Sequence, residues 1–435
     1  MYRPPLFRRV LPWFFVAAFF IAAPVLVYYT AGYRYNTKKG QLERNGTLII
    51  DTTPTSATVI LDGNRMDETT PVTMQNVAPG WHTIALELEG YHSWTKQLEI
   101  KPERVTFANN IWLWQKEQTP VLALEGTVTH LTSNPARDRL LLTEETPTGT
   151  TLAFWTGTGA RLGSQAFTRF QTNDPFIPRW QQDGRAVLLN GLANQEAGWW
   201  LNARSSTPVL MGLSGLSSHW DGTELFGTDE RNSYRLNPRT EAFTQIQLEE
   251  HVVDASSGAT LEQADNKSEL IFVDHSFLTK RFALPNGTWR FADIQSPYVL
   301  LTDHGRWMAV NPKESPASQG ILLGDYPRWL EDAREPQALF VNASELWQWN
   351  MAEKPTLLLR QSEPIIQARW HRSGTTVFFA TAQTLIALDL DDRNGRQTTD
   401  LATFDRIFDF DLLDNDLYIA GEKEGKRGIW RMIVE

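Results

Sequence analysis

The sequence predicts an all-β protein behind a single N-terminal helix, on three observations. From Leu48 onward, apolar and polar residues alternate with period two, as in half-buried strands. From Arg139 to the C-terminus a short apolar segment returns about every 40 residues. Aromatic residues make up 11% of the chain, with 17 Trp, and such side chains fit a pleated, half-covered surface.

The helical element is Leu11–Ala31, about 21 residues without a charge. At about 1.5 Å of rise per residue it is long enough for a hydrocarbon core of roughly 30 Å. Arg3, Arg8 and Arg9 precede it, and Tyr28, Tyr29 and Tyr33 crowd its far end. Pro24 removes one internal hydrogen bond, which membrane helices tolerate. Length and flanking arginines argue against a buried core helix. A cleaved signal peptide has a shorter apolar region and a small-x-small site before polar sequence, which this run lacks. The expectation is an uncleaved signal anchor over 11–33. The positive-inside rule puts residues 1–10 in the cytoplasm and the rest of the chain outside it.

At 435 residues the chain has room for two or more domains, and 41% hydrophobic with 21% charged residues describes globular material. Residues 1–50 hold seven of the 41 Lys/Arg and one of the 51 Asp/Glu, which leaves 34 against 50, a net −16, for the remainder. A nucleic-acid partner needs a basic patch and does not fit that balance. There is no cysteine, which removes disulfides, thiol catalysis and cysteine metal sites together. A domain outside the cytoplasm without disulfides rests on its core, so large sheets are expected.

Arg34–Gly46 is polar and is expected to be a linker. Alternation then sets in: Leu48, Ile50 and Thr52, then Ala57, Val59 and Leu61, with Asp62-Gly63 as a turn pair. Pro71-Val72 opens a further strand, Pro79-Gly80 turns the chain, and His82, Ile84, Leu86 and Leu88 share one face of the next strand. Gly90-Tyr91 breaks that strand before two more, Trp94–Ile100 and Val105–Trp114. A compact antiparallel sandwich follows. On an apolar strand face, His82 is expected to be a packed core histidine.

This stretch resembles a PEGA domain. Thr52, Pro54, Ala57, Val59, Leu61, Asp62 and Gly63 match the family's T-x-P-x-x-A-x-V-x-L-D-G hairpin. Thr70 and Pro71 match its T-P pair; Pro79, Gly80, His82 and Ile84 its P-G-x-H/Y-x-I strand; Gly90 and Tyr91 its G-Y. The resemblance covers about 47–114, some 15% of the chain, and the tetrapeptide that names the family is here Pro102-Glu103-Arg104-Val105. It implies a non-enzymatic β-module of envelope-exposed, S-layer-like proteins, assigned here to 47–115.

Residues 116–435 carry the recurring segments RLLLT (139–143), AVLLN (186–190), ELFG (224–227), ELIFV (269–273), YVLLT (298–302), ALFV (338–341), TVFFA (376–380) and DLYIA (416–420). Several follow a tryptophan and a polar turn: RWQQDGR at 179–185, HWDGT at 219–223 and RWHRSGT at 369–375. A unit of four short antiparallel strands in about 40 residues is the blade of a β-propeller. The turns resemble the W-S-P-D-G-R turns of WD40-like and Tol-type propeller repeats. Seven or eight blades fit the length, the 251–284 unit being poorly patterned, and a tandem of β-sandwiches is the competing fold. The last unit lacks an outer strand, which Thr119–Leu124 is placed to supply.

No pattern for chemistry completes itself. Gly212, Ser214 and Leu216 fail G-x-S-x-G, and Gly157, Gly159 and Leu162 fail G-x-G-x-x-G. Asp389, Asp391, Asp392 and Asn394 before Gly395 approach a calcium loop, but Arg393 stands where an oxygen ligand belongs, so a solvated turn is expected. Asp405, Asp409, Asp411, Asp414 and Asp416 are expected at the surface. The eight histidines lack metal-ligand spacing. Trp199-Trp200, Trp347 and Trp349 could stack on sugars but are expected in blade cores. The reading contains no catalytic residue, no metal and no cofactor, and leaves binding residues undefined.

Two functions remain open. One is a membrane-anchored cell-envelope protein that displays the propeller to bind or scaffold an envelope protein or cell-wall glycan, with a structural surface-layer role as a variant. The other is an extracytoplasmic glycan hydrolase or lyase, marked by two carboxylates about 5–10 Å apart in an aromatic-walled pocket.

Overall fold

A computed structural model describes residues 6–434 except 31–32, 37–40, 148, 160–161, 168–176, 182–183, 185, 191–197, 203–209, 214–216, 222–223, 230, 238–241, 257, 265–266, 274–278, 296, 313–320, 326 and 331–332. It separates into two compact units. The first comprises Met1–Glu117 with Asp391–Gln397, the second Gln118–Leu390 with Thr398–Glu435.

The first unit begins with α1, Leu6–Thr30, a helix of 25 residues that continues through Pro24. Its large side chains are open on every side, Trp13, Phe20 and Ile21 all at 70% or more. Within α1, side chains are described without a break only from Trp13 to Tyr28. Counted over described residues, no helix is long and apolar enough to cross a membrane. The expected linker is instead a hairpin: β1 (Tyr33–Asn36) pairs antiparallel with β2 (Gln41–Arg44), and the Arg44 guanidinium lies 4.6 Å from the centre of the Tyr33 ring. Polar composition conceals such a pair because neither strand needs a buried face.

Seven strands then form a two-layer sandwich: β3 (Gly46–Thr53), β4 (Thr58–Leu61), β5 (Asn64–Thr69), β6 (Val72–Val77), β7 (Gly80–Glu87), β8 (Trp94–Ile100) and β9 (Val105–Trp112). One sheet runs β5-β4-β7-β8 and the other β6-β3-β9. The expected all-antiparallel order fails at one place, since β3 and β9 pair in parallel. The first and last strands of the module lie side by side, and an even number of chain reversals between them leaves both running the same way. Leu48, Ile50, Val59, Ile84 and Leu86 are fully buried between the layers, every second residue of their strands. The matched hydroxyls explain the T-x-P and T-P pairs. Ala57 N donates to Thr70 Oγ1 at 3.0 Å, the two hydroxyls of Thr70 and Thr52 meet at 2.5 Å, and Thr52 donates to Pro54 O at 2.7 Å. Asp62 and Gly63 take φ of 51° and 80°, as a two-residue hairpin turn requires.

In the second unit, β10 (Val121–Glu125) precedes eight consecutive sheets. Their inner strands are Val128–Ser133, Ile177–Trp180, Ser217–Asp221, Val252–Ser256, Arg290–Gln295, Arg328–Trp329, Gln367–Trp370 and Arg406–Leu413, numbered here as blades 1 to 8. Blades 1 to 7 are four-stranded antiparallel meanders. Blade 8 has three strands of its own and receives β10 as the fourth, antiparallel to Lys426–Ile433. The N-terminal strand thereby closes the ring, which defines a β-propeller rather than a tandem of sandwiches.

Seven of the eight recurring apolar segments fall on the second strand of their blades. That strand is paired on both edges and covered on both faces, so it reads as a continuous apolar run, and every residue of Thr376–Ala380 is buried. The exception is ELIFV, on the third strand of blade 4. Blade 4 differs in a second way. The inner strands of blades 3 and 5 pair directly and in parallel, Trp220 with Asp293 and Asp221 with Ile294. Eight sheets therefore coexist with seven strands around the axis. Apolar clusters fill the spaces between blades, as Leu140, Trp155, Tyr418 and Ile429 do between blades 1 and 8.

The central channel as candidate functional site

A cavity of about 850 Å³ lies in the propeller. All inner strands except that of blade 4 contribute to its wall: His130 from blade 1, Arg179 and Trp180 from blade 2, Trp220 from blade 3, Asp293 from blade 5, Arg328 and Trp329 from blade 6, Arg369 and Trp370 from blade 7, Asp409 and Asp411 from blade 8. A channel with a few convergent polar groups is the ordinary form of a binding site.

Two local devices build this wall. The first is an Arg-Trp dipeptide, repeated at 179–180, 328–329 and 369–370 on inner strands. Neighbouring residues on a strand point to opposite faces, so the two side chains part company. Trp370 donates from Nε1 to Arg328 O of the preceding blade at 2.9 Å, and Trp220 donates to Arg179 O at 2.8 Å. Trp329 donates to Asp293 Oδ2 at 2.8 Å. Trp220, Trp329 and Trp370 thus tie blades 3, 6 and 7 to the blade before each.

The second device is a β-bulge just before a polar inner-strand residue. Register shifts fall between Val128 and His130, Val252 and Asp254, Phe291 and Asp293, and Ile407 and Asp409. A bulge bends the strand and re-aims the side chain that follows. Asp409 then accepts from Phe410 N at 2.8 Å and from Leu131 N of blade 1 at 3.3 Å. Asp411 accepts from Leu412 N at 2.8 Å and Ser133 N at 3.0 Å, and the Arg369 Nε lies 2.9 Å from its Oδ1. These contacts close the ring between blades 8 and 1 a second time.

The electrostatics follow from the crowding of opposite charges. Burial pushes Asp409 up, but its hydrogen bond to His130 and the charges of Arg369, His130 and Arg328 outweigh it and hold the carboxyl below its usual value. Burial pushes His130 down, and Asp409 with Glu145 reverses that to a net rise. Arg328 is lowered to about 10, chiefly by burial and then by the nearby Arg369 charge. Asp293 is pushed up by burial. His219 on blade 3 is fully buried between Phe226 and Phe291, its ring nitrogens without a hydrogen-bond partner, and burial followed by the Arg179 charge lowers it to about 3. It is a neutral packing residue.

Several expectations change here. Asp409 and Asp411 are buried channel residues, not surface ones: two apart on a strand, they share a face instead of being separated by alternation. Asp405 accepts from Gly425 N and Asp416 pairs with Arg431 at 2.5 Å, both away from the channel wall. His82 is hydrogen-bonded rather than packed in apolar surroundings, with Nδ1 2.6 Å from Asp62 Oδ2 and Nε2 2.7 Å from Ala78 O. Asp391 is no simple solvated turn residue, for within the first unit Arg393 reaches its carboxylate at 2.7 Å and the buried Lys96 at 3.6 Å. Trp349 is fully buried in a blade core, and Trp347 donates to Glu345 at 2.8 Å. The side chains of Trp199 and Trp200 lie outside the described residues.

Arg179, Arg328 and Arg369 escaped sequence reasoning as a group. The Arg-Trp dipeptide occurs four times, the fourth being Arg306-Trp307 away from the inner strands; at 328–329 it precedes Leu330-Glu331-Asp332 in place of a short polar turn, and nothing local shows that the other three arginines converge.

The class is a β-propeller with a charged channel, preceded by a smaller β-module. The PEGA domain family model matches residues 45–111, so the first unit contains a PEGA domain. Solved structures similar to the chain include the Dos1 propeller, at 10% identity and TM-score 0.44 over 73% of this chain and 95% of that one. Others are Raptor of Chaetomium thermophilum, at 13% and 0.39 over 73% and 29%, and Hsv2p of Kluyveromyces lactis, at 11% and 0.33 over 57% and 89%. No curated protein matches the sequence.

Proposed function

We propose that this is a membrane-anchored cell-envelope protein that displays its propeller outside the cytoplasm to bind or scaffold a partner. The observation that carries the binding reading is the state of the channel carboxylates. Asp293, Asp409 and Asp411 each accept the N–H of the following residue and a further donor from a neighbouring inner strand or its tryptophan. Groups tied into the wall in this way hold blades together and are poorly placed to donate or take a proton from a substrate. The PEGA domain supports an envelope setting. The 25-residue length of α1, its exposed apolar side chains and the uncharged run Leu11–Ala31 support an anchor.

The test has two arms. Protease treatment of intact cells and of inverted vesicles should digest the propeller only from the non-cytoplasmic side; digestion only in inverted vesicles would reverse the topology, and recovery in the soluble fraction would remove the anchor. Purified protein immobilised against envelope extracts and glycan arrays should retain a partner without releasing products. Release of sugars would favour the hydrolase or lyase alternative.

A further inference from the structure

The sandwich of the first unit has two unlike ends. Among its described residues three large apolar side chains are exposed: Trp81 at 65%, Phe107 at 51% and Val105 at 46%. Exposed apolar residues scattered singly need no explanation, but these three gather at one end. Trp81 is the second residue of β7 and pairs with Glu99 near the close of β8. Val105 opens β9 and pairs in parallel with Thr47 at the start of β3, and Phe107 follows two residues on, on the same face. The turn 101–104 joins β8 to β9 between these positions. It is pinned to the start of β3, for Thr47 N donates to Arg104 O at 3.0 Å and Glu103 N donates to Asn45 O at 3.1 Å. Trp81 and Val105 belong to the two different sheets and stand on either side of this turn.

Charge divides the same way. At the apolar end the described acidic groups are engaged: Glu103 pairs with Arg44, Glu99 with Lys101 at 3.5 Å, and Asp62 with His82 at 2.6 Å. Arg104 is exposed and has no ion pair among the described residues. The opposite end carries Glu68, Glu87 and Glu89, all exposed, around the pairing of Thr58 with Thr69 and Glu87.

The apolar end is also the one tied to α1. Tyr33 of β1 pairs with Arg44 of β2, so the hairpin brings the chain back on itself. Gly46 is thereby held within about 25 Å of Thr30. Side chains complete the tie. The Tyr28 ring in the last turn of α1 lies 5.3 Å from that of Tyr33, Tyr33 carries the Arg44 guanidinium, and Arg44 pairs with Glu103 in the 101–104 turn. Contacts therefore run from the end of the helix to the residue before Arg104.

We infer that the end of the PEGA domain nearest α1 rests on a lipid surface, with Trp81 and Val105 in the headgroup region and Arg104 against anionic headgroups. The inference rests on the reading of α1 as a membrane anchor. Tryptophan is favoured at a membrane interface because its ring is apolar and its N–H polar, and an adjacent cation adds attraction to anionic lipid.

The test uses the full-length protein in lipid nanodiscs, either phosphatidylcholine alone or phosphatidylcholine mixed with phosphatidylglycerol. The chain has no cysteine, so a nitroxide on Trp81→Cys, Val105→Cys, Glu89→Cys or Phe19→Cys reports one site each. Circular dichroism and thermal unfolding check that each variant is folded. Collisions with a water-soluble nickel chelate should be reduced by about threefold or more at 81 and 105 relative to 89. Arg104→Glu, in the Val105→Cys background, should restore part of those collisions in the anionic discs. With Phe19→Cys shielded from nickel and open to oxygen, equal nickel access at 81, 105 and 89 would overturn the inference alone. So would spin–spin broadening at 105, which would mean that a second copy of the chain covers this end. Unchanged protection at 105 in folded Arg104→Glu would overturn the headgroup contact. Nickel access at Phe19→Cys as high as at Glu89→Cys would sink the anchor reading and the inference with it.

Discussion

Asp254 in blade 4 and Asp409 in blade 8 occupy equivalent places, yet their carboxyl groups shift in opposite directions. Each follows a β-bulge, each accepts the N–H of its successor at 2.9 and 2.8 Å, and each accepts an N–H from the next inner strand, Phe291 at 3.0 Å and Leu131 at 3.3 Å. Burial pushes both up. At Asp254 it prevails and the carboxyl rises to about 6, because the backbone hydrogen bonds from Phe291 and Ala255 and the charge of Arg290 only partly offset it. At Asp409, His130, Arg369 and Arg328 reverse the outcome. The backbone cradle is thus common to both blades, and access to the channel's cations decides the charge it holds.

The largest effect that would break this comparison is loss of an inter-blade tryptophan. Trp370→Ala should cost about 3–5 kcal/mol, read as a fall in thermal midpoint, because it empties a buried site and removes the bond to Arg328 O. Val253→Ala, on the blade 4 inner strand and only partly buried, should cost about 1 kcal/mol. Equal costs would mean that blade 4 is tied into the ring as firmly as blade 7.

Acid–base titration of stability sharpens the comparison further. A carboxyl raised on folding stabilises the protein below its unfolded value near 3.8, and that contribution disappears as pH rises through about 6. Between about pH 4 and 6 the wild type should therefore lose up to roughly 3 kcal/mol through Asp254, and Asp254→Asn should flatten this slope. Asp409 works the other way: its contribution is present above the ordinary carboxylate value and is lost as pH falls through its lowered one. Asp409→Asn should flatten the acid limb only, by a smaller amount. Slopes of the same sign for both variants, measured by denaturant titration across pH, would refute the assignment of channel cations as the deciding factor.

The smallest effect is expected at Arg431, which pairs with Asp416 at 2.5 Å on a largely solvated face of blade 8. Arg431→Ala should change stability by less than about 1 kcal/mol, since exposed pairs are screened and entropically costly. A larger loss would show that the closure through β10, which pairs with the same strand, depends on that edge contact.

Much of the architecture was legible because it depends on neighbours in sequence. TVFFA and RLLLT mark second strands because a strand covered on all sides must be apolar throughout. Thr119–Leu124 could be placed as the missing outer strand because the last unit ended one strand short, and Val121–Glu125 takes that position. The Thr52, Pro54, Thr70 and Pro71 pattern pointed to a fold whose hydroxyl chain those residues build. The site was far less legible. Asp409 and Leu131 are 278 residues apart, as are Asp411 and Ser133, and no local pattern connects them. The hairpin of β1 and β2 also escaped, since its sequence carries no apolar alternation.

By itself, then, the sequence determined the succession of strands, the PEGA module and the apolar helix, because hydrophobic periodicity is a property of adjacent residues. Only the tertiary structure decided which seven strands face the axis, that blade 4 stands back from it, and that four arginines and four aspartates meet there. The physical reason is that a polar side chain's role depends on its dielectric surroundings and its partners, and here bulges and strands from distant parts of the chain supply both.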